Sequence, residues 1–404
     1  MRSAGYAVIA AVVFVLLDFA LDTVVPDSSL RQLVMLAAVN VVVAMSLNII
    51  NGMAGQFSIG HAGFVGIGAY TSAIVASQLH VSFGGGEPTF ARSFVVVPLC
   101  LLAAGTVAGA FGLVVGLPSL RLKGDYLAIV TLGFAEIFRL LVATASITEE
   151  ESLATAWSKV GGEGGVVGPL FHVVSVAITK LGGQNGFMGP DQDGVPLYAG
   201  PFWVFGVALL TGVLAWRLKF SGWGRALRAL REDEIAAAAV GVDPTRYKVT
   251  SFVISAVGGG IAGGLLAIVR DGTPIVQPDS FTFQFSFDAI TMVILGGSGS
   301  VTGAALGGLF VTFSVKAIEL AQGSDVVQSV LFSAPWLDLN ALRMIAYAVV
   351  LIALMILRPE GLLGERELFA SRPKKGPPGA KPSSSGTGAS GSTVPVGAAS
   401  EGAS

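Results

Sequence analysis

Charge is what this chain has least of. Asp, Glu, Lys and Arg make up 12% of its 404 residues, about half the roughly 25% of a soluble domain. So few charges cannot coat a water-exposed surface, which excludes a soluble enzyme. A formal net charge of −2 and a pI of about 6.0 exclude a nucleic-acid binder working through a basic face. Cysteine occurs once, as Cys100, so neither an intrachain disulfide nor a thiolate metal cluster can form. The three histidines, His61, His80 and His172, are too scattered in sequence for a His-rich metal site.

What is present is apolar and small. Hydrophobic residues are 53% of the chain, mean hydropathy is +0.75, and there are 54 glycines, about twice the average share of roughly 7%. Five stretches carry no Asp, Glu, Lys or Arg: 32–86, 93–120, 194–216, 249–269 and 289–315. A helix needs about 20 apolar residues to cross a bilayer, so the first run is long enough for two crossings and each of the others for one. The expected fold is therefore all-α, a polytopic transmembrane helical bundle. Spans are predicted at about 6–21, 32–50, 58–78, 94–117, 126–146, 200–218, 249–269, 288–297 with 303–320, and 341–357. Residues 6–20 read as a retained first helix rather than a leader, because Asp18 interrupts them and no small-residue cleavage site follows. Gly296–Ser300 splits the 288–320 region, which predicts a hairpin or broken helix there. The expectation is about 8–10 membrane elements, some broken or re-entrant.

Charge sets the sidedness. Residues 217–248 carry Arg217, Lys219, Arg225, Arg228, Arg231, Arg246 and Lys248, and residues 358–381 carry six more cations. The 147–199 loop is acidic on balance. By the excess of cations in cytoplasmic loops, both termini are expected in the cytoplasm and the 147–199 loop outside. Residues 366–404, rich in Pro, Gly and Ser, read as a disordered cytoplasmic tail following a membrane domain over 1–365. The tail's lysines are either simply solvated or touch anionic lipid.

Residues 224–242 predict a short cytoplasmic helix between two spans. Arg225–Val240 is rich in helix formers, Gly241 stands where a C′ glycine ends a helix, and Pro244 blocks continuation. Ala236–Ala239 offers a low-relief face for another protein, and Arg228 and Glu232 stand at i, i+4. A plain amphipathic loop helix is the other reading of the same residues.

Residues 51–72 contain Gly52, Gly55, Gly60, Gly63, Gly66 and Gly68 beside Asn51, Gln56, Ser58 and His61. That is a poor isolated helix in lipid. It fits an unwound stretch lining a solute pathway, or tight helix packing with locally satisfied polar groups. His61 is either a titrating switch or a neutral hydrogen-bonded ring. Glu136 and Arg139, at i, i+3, either pair on one helix face or line the pathway. Asp125 reads as a local ion-pair or helix-start residue. Lys316 and Glu319 have the same i, i+3 spacing. The spacings in 259–264 and in Gly299, Gly303 and Gly307 read as close helix packing, within this chain or against a partner.

Residues 228–242 run Arg-Ala-Leu-Arg-Glu-Asp-Glu-Ile-Ala-Ala, three further residues, then Gly241 and Val242, with Tyr247 and Lys248 following. This resembles the coupling loop of permeases in the branched-chain amino acid ABC-importer family. Residues 48–70, 120–139, 182–189, 296–303 and 358–364 also resemble that family's segments, in order, over about 30–365. The likeness is to the LivM-type subunit more than to its LivH-type partner. It implies a transport subunit, not an enzyme, that pairs with a second permease subunit, two cytoplasmic ATPases and an extracytoplasmic solute-binding protein in the inner membrane. No G-x-x-x-x-G-K-[ST] phosphate loop occurs, so no cofactor is expected in this chain and ATP-Mg belongs to the partners. The implied pathway residues are Asn51, Gly52, Gly55, Gln56, Ser58, Gly60, His61 and Glu136. The implied coupling residues are Arg225, Arg228, Glu232, Asp233, Ala236, Ala237 and Gly241. The 147–199 loop is longer than the family leads one to expect and carries a weakly apolar stretch at 166–178. A urea or short-amide permease shares these motifs. A stand-alone secondary transporter or channel is the reading from another class, and a membrane scaffold without transport fits the Gly-broken polar segment poorly.

Overall fold

The computed structural model describes residues 27–119, 125–144, 181–189 and 194–322, and beyond these residues 345, 348, 349, 352, 353, 356, 361–364, 367 and 368. The predicted first span at 6–21, most of the span at 341–357, the apolar stretch at 166–178 and the tail lie outside them. So do the boundary at 365 and the side chains of Asp125 and Glu319.

Ten α-helices occur among the described residues, with two isolated β-bridges in place of strands. They are α1 (Ser28–Asn48), α2 (His61–Ser82), α3 (Phe90–Ser119), α4 (Asp125–Ala143), α5 (Pro201–Phe220), α6 (Gly222–Glu232), α7 (Glu234–Ala239), α8 (Pro244–Ile268), α9 (Phe283–Gly296) and α10 (Val301–Gln322). Six of them, α1 to α5 and α8, are long and apolar enough to cross a membrane; α9 and the 301–317 part of α10 are shorter apolar stretches. At about 1.5 Å per residue, the 20 residues of α5 match the roughly 30 Å hydrocarbon layer. The expected spans at 32–50, 58–78, 94–117, 126–146, 200–218, 249–269 and 288–297 with 303–320 are present among the described residues, with shifted ends. The largest shifts are at α8, which starts at Pro244 rather than 249, and at α9, which starts at Phe283 rather than 288. Pro244 does not merely end what precedes it: it occupies the first turn of α8, where its missing N–H is no loss, while the Asp243 side chain accepts from the Arg246 amide at 3.2 Å.

α8 is the central helix and packs along α1, α2 and α3. Its small residues let backbones meet. A β-carbon at Gly68 of α2 would overlap the Gly260 carbonyl of α8, and one at Gly263 would overlap the Val65 carbonyl. Lipid provides no hydrophobic drive between helices, so such close van der Waals contact is what holds them. The small-residue spacings are thus used within the chain. The second of them joins α10 to α9, where Gly303 lies against Gly296 and Gly307 against the Met292 carbonyl. The interrupted 288–320 region is accordingly a helical hairpin.

At one end of the bundle, Arg31 at the start of α1 pairs with Asp271, just past α8, at 3.2 Å. At the other end, α6 lies on the bundle with Leu227 and Leu230 buried. The predicted single helix over 225–240 is corrected: it breaks at Asp233, which is extended at φ −153 and caps α7 by accepting from the Ile235 and Ala236 amides at 2.9 and 3.0 Å. Gly241 does end the second piece, at φ +90.

The Gly68–Gly260 contact has a measurable consequence. Gly68→Val forces α2 from α8 by overpacking, at a cost of about 1–3 kcal/mol or more. A lower thermal midpoint in detergent is expected; an unchanged midpoint would mean that the contact does not hold the two helices.

Candidate functional site

The polar centre of the bundle is the break between α1 and α2. The end of α1 widens into a π-helical turn, Ile49–Met53, with the Ala54 amide bonded to the Ile49 carbonyl at 3.1 Å. Residues 54–60 are then non-helical. Such turns recur at functional sites because they offset the backbone register. Gly55 permits the reversal with φ +67, and a β-carbon there would strike the Arg231 stem.

Side chains pair the backbone groups that the break releases. Asn51 Nδ2 donates to the Ser58 carbonyl at 3.3 Å, and its Oδ1 accepts from the Ser58 amide at 3.2 Å. Thr131 Oγ1 of α4 accepts from the Ile59 amide at 3.2 Å, and Ser286 Oγ of α9 from the Ala62 amide at 3.1 Å. Arg231 Nη1 of α6 donates to the Gly52 carbonyl at 2.9 Å. His61 is buried, its Nε2 3.0 Å from Ser46 Oγ, so the ring is hydrogen-bonded. Gln56 is different: it is 7% exposed, and neither amide atom has a partner. An unsatisfied buried polar group costs about 1–3 kcal/mol, so this amide is the group in the break with capacity left for a visiting molecule.

Asn51, Gly52, Gly55, Gln56, Ser58, Gly60 and His61 therefore form one cluster. Glu136 does not join it. It lies further along α4 than Thr131 and pairs with Arg139 (Nε–Oε1 2.9 Å), which also reaches Asp279 at 3.1 Å. Of the expected coupling residues, Arg225, Glu232, Asp233, Ala236 and Gly241 are exposed, and Arg228 Nε reaches back to the Gly224 carbonyl at 3.5 Å. Glu232 pairs with its neighbour Arg231 at 3.2 Å, not with Arg228. Ala237 is a correction: it is 3% exposed and packs inward, so the low-relief face is not the whole alanine run. Ile235 and Val240, 83% and 80% exposed, stand out instead.

Asn48, Glu367 and Lys219 tie this end together. Asn48 Nδ2 donates to the Ser300 carbonyl at 3.0 Å and its Oδ1 accepts from the Gly299 amide at 2.9 Å, fastening the break to the α9–α10 turn. Glu367 reaches the start of α10, accepting from the Val301 and Thr302 amides at 2.8 and 3.0 Å and from Lys219 Nζ at 2.5 Å. An isolated polar residue at the end of an apolar run is the only mark Asn48 leaves in sequence. Ile235 and Val240 flanking the alanines were a readable signal; Glu367 gives none.

The architecture, all-helical with six membrane-length helices among the described residues and a polar break at its centre, is that of a multi-pass transport permease. A family model described as the permease component of the branched-chain amino acid transport system matches residues 29–357. The chain is 34% identical over 343 residues to the high-affinity branched-chain amino acid transport system permease protein LivM of Escherichia coli K12, covering 81% of this chain and 68% of that protein. It is 28% identical over 362 residues to a probable LivM of Methanocaldococcus jannaschii, covering 83% and 93%. It is also 28% identical over 151 residues to LivH of Escherichia coli K12, covering 37% and 42%. No solved structure matches the chain. The chain belongs to the branched-chain amino acid transport permease family.

Glu367 yields a pH prediction. Burial alone would raise its carboxyl, but hydrogen bonds from Lys219, the Thr302 hydroxyl and the Thr302 and Val301 amides hold it below the ordinary glutamate range. Its stabilisation is therefore full above the unfolded value of about 4.3 and is lost as pH falls through the lower folded value. Glu367→Gln should cost about 3–5 kcal/mol at neutral pH by breaking a buried ion pair, with the gap to wild type closing in acid. A gap independent of pH would contradict this role.

Proposed function

We propose that this chain is the LivM-type membrane subunit of an ABC importer for branched-chain aliphatic amino acids. It has no nucleotide site of its own. It pairs with a LivH-type permease, two cytoplasmic ATPases engage α6 and α7, and an extracytoplasmic binding protein delivers the solute. Both termini lie in the cytoplasm, on the side of the cations of residues 217–248.

The observation that carries this reading is the exposure of Ile235 and Val240, 83% and 80%, on a loop otherwise full of charge. Apolar side chains held in water mark a surface for a protein partner. This surface continues into the break. Arg231, at the end of α6, packs its stem against Gly55 and bonds the Gly52 carbonyl. Lys248 holds α7 to α8 through Glu234 at 2.6 Å. Movement imposed on α7 by a nucleotide-driven partner thus has a short covalent and hydrogen-bonded route to residues 52–60, where the spare Gln56 amide can donate to a carboxylate and accept from an ammonium group.

The test is reconstitution of the assembled transporter in proteoliposomes. Ile235→Asp or Val240→Asp should lower ATP-driven L-leucine uptake about ten-fold or more, the loss of roughly 1.4 kcal/mol or more at a docking anchor. Unchanged uptake and unchanged ATPase stimulation would reject the docking role, and uptake by the chain alone without nucleotide would reject the importer. Arg231→Met keeps the stem and removes the bond to Gly52. It should also reduce uptake, by an amount of the order of one hydrogen bond to a charged group, about 1.5–3 kcal/mol, while the ATPases stay bound. Full uptake would disconnect the loop from the break.

A further inference from the structure

A cavity of about 610 Å³ opens at the end of the bundle opposite α6 and α7, between the α2–α3 turn and residues 188, 189 and 194–197. Small-molecule sites occupy roughly 300–1,000 Å³. Three features make it more than a surface hollow. Ser77, on α2, lines it, is 3% exposed, and has no hydrogen-bond partner. Helical serines usually return their hydroxyl to a carbonyl one turn back, as Ser46, Ser82 and Ser93 do here; Ser77 does not. His80, one turn further on, also lines the cavity. Its Nδ1 is 2.8 Å from the Tyr198 hydroxyl, which leaves Nε2 as the ring's other polar atom. Where Tyr198 donates to Nδ1, Nε2 carries the proton and is a donor.

The remaining walls are divided by chemistry. Glu87 supplies a carboxylate at the exposed lip. Gly84, Gly85 and Gly86, with φ of +78, +68 and +89, form a bare turn, anchored where Arg92 Nη1 donates to the Gly85 carbonyl at 2.7 Å. Val81, Met188, Val195 and Leu197 form an apolar side.

We propose that this cavity is a receiving site for a small zwitterion bearing an aliphatic side chain, occupied before the solute reaches the break at 54–60. Ser77 Oγ and His80 Nε2 donate to its carboxylate, Glu87 accepts from its ammonium group, and its side chain lies on Val195 and Leu197. The proposal rests on the amino-acid reading above and deepens it by naming a second solute site on this chain. A small polar amide would leave the apolar wall wet and the Glu87 charge unmatched, so it fits less well.

Cys100 is the sole cysteine and is fully buried, so the chain is ready for site-specific thiol labelling. Val81, 52% exposed, lines the cavity, and Val81→Cys places one accessible thiol in its wall. In the assembled transporter in nanodiscs, without binding protein, L-leucine should slow modification by a charged thiol reagent about ten-fold at about ten times its Kd. Urea at the same concentration should not. Adding Ser77→Ala or Glu87→Gln should abolish the protection, with the thermal midpoint confirming that each variant is folded. Labelling that ignores L-leucine, or protection that survives both substitutions, overturns the proposal. Wild-type uptake separates the two ideas. L-leucine uptake without protection removes the cavity site alone; no uptake and no protection removes the importer reading with it.

Discussion

The structure turns on the pairing of backbone groups where a helix is interrupted inside an apolar bundle. Water is not at hand in a bilayer core, so each freed N–H or C=O must find a partner within the protein. Between α1 and α2 the partners come from three other elements, Thr131 of α4, Ser286 of α9 and Arg231 of α6, while the Asn48 side chain in turn pairs backbone of the α9–α10 turn. Each is positioned by a helix packed against the break or by a turn anchored to it. The interruption is therefore not a loose segment but a junction, and a shift in any contributor has to be accommodated there.

This pairing also explains the unusual glycine content. α2 and α8 approach until the Gly68 and Gly260 backbones touch, and α10 closes on α9 in the same way. Close approach lets short side chains such as Ser72, Thr131 and Ser286 span from one helix to the next backbone. With larger residues at these crossings the helices would stand apart and the same hydroxyls would fall short. Small residues and polar satisfaction are two parts of one requirement.

Much of this was legible in the sequence. The membrane-length helices follow from uncharged runs, because hydrocarbon sets a length that composition must meet. The six glycines beside four polar residues left an unwound stretch or tight packing open, and the i, i+3 spacing of Glu136 and Arg139 left a pair or a pathway lining open; the structure has an interrupted helix and the pair. What was not legible is what joins residues far apart in the chain. Asn48 reaches Ser300 across 252 positions, Arg231 reaches Gly52 across 179, and Lys219 meets Glu367 across 148. No periodicity links such pairs. Asp233 failed for a local reason. The helix formers around it favour one helix, but its carboxylate competes for the Ile235 and Ala236 amides and caps a second one. That break is what turns Ala237 inward and leaves Ile235 and Val240 outward.

The two ends of the bundle then differ in how much polar capacity they hold in reserve. At the α6–α7 end, Glu367, Asn48 and Arg231 each bond backbone of another element, so that end is cross-linked by side chains. At the break and beyond it, Gln56 and Ser77 are buried without partners. The buried Tyr70 hydroxyl of α2, between them in sequence, is a third such group. Unpaired groups are expensive in a low-dielectric interior, and the expense is recovered only when something binds. Gln56 lies just past the π-turn and Ser77 in the wall of the cavity at the opposite end, so unused hydrogen-bonding capacity is present at both of the proposed solute sites.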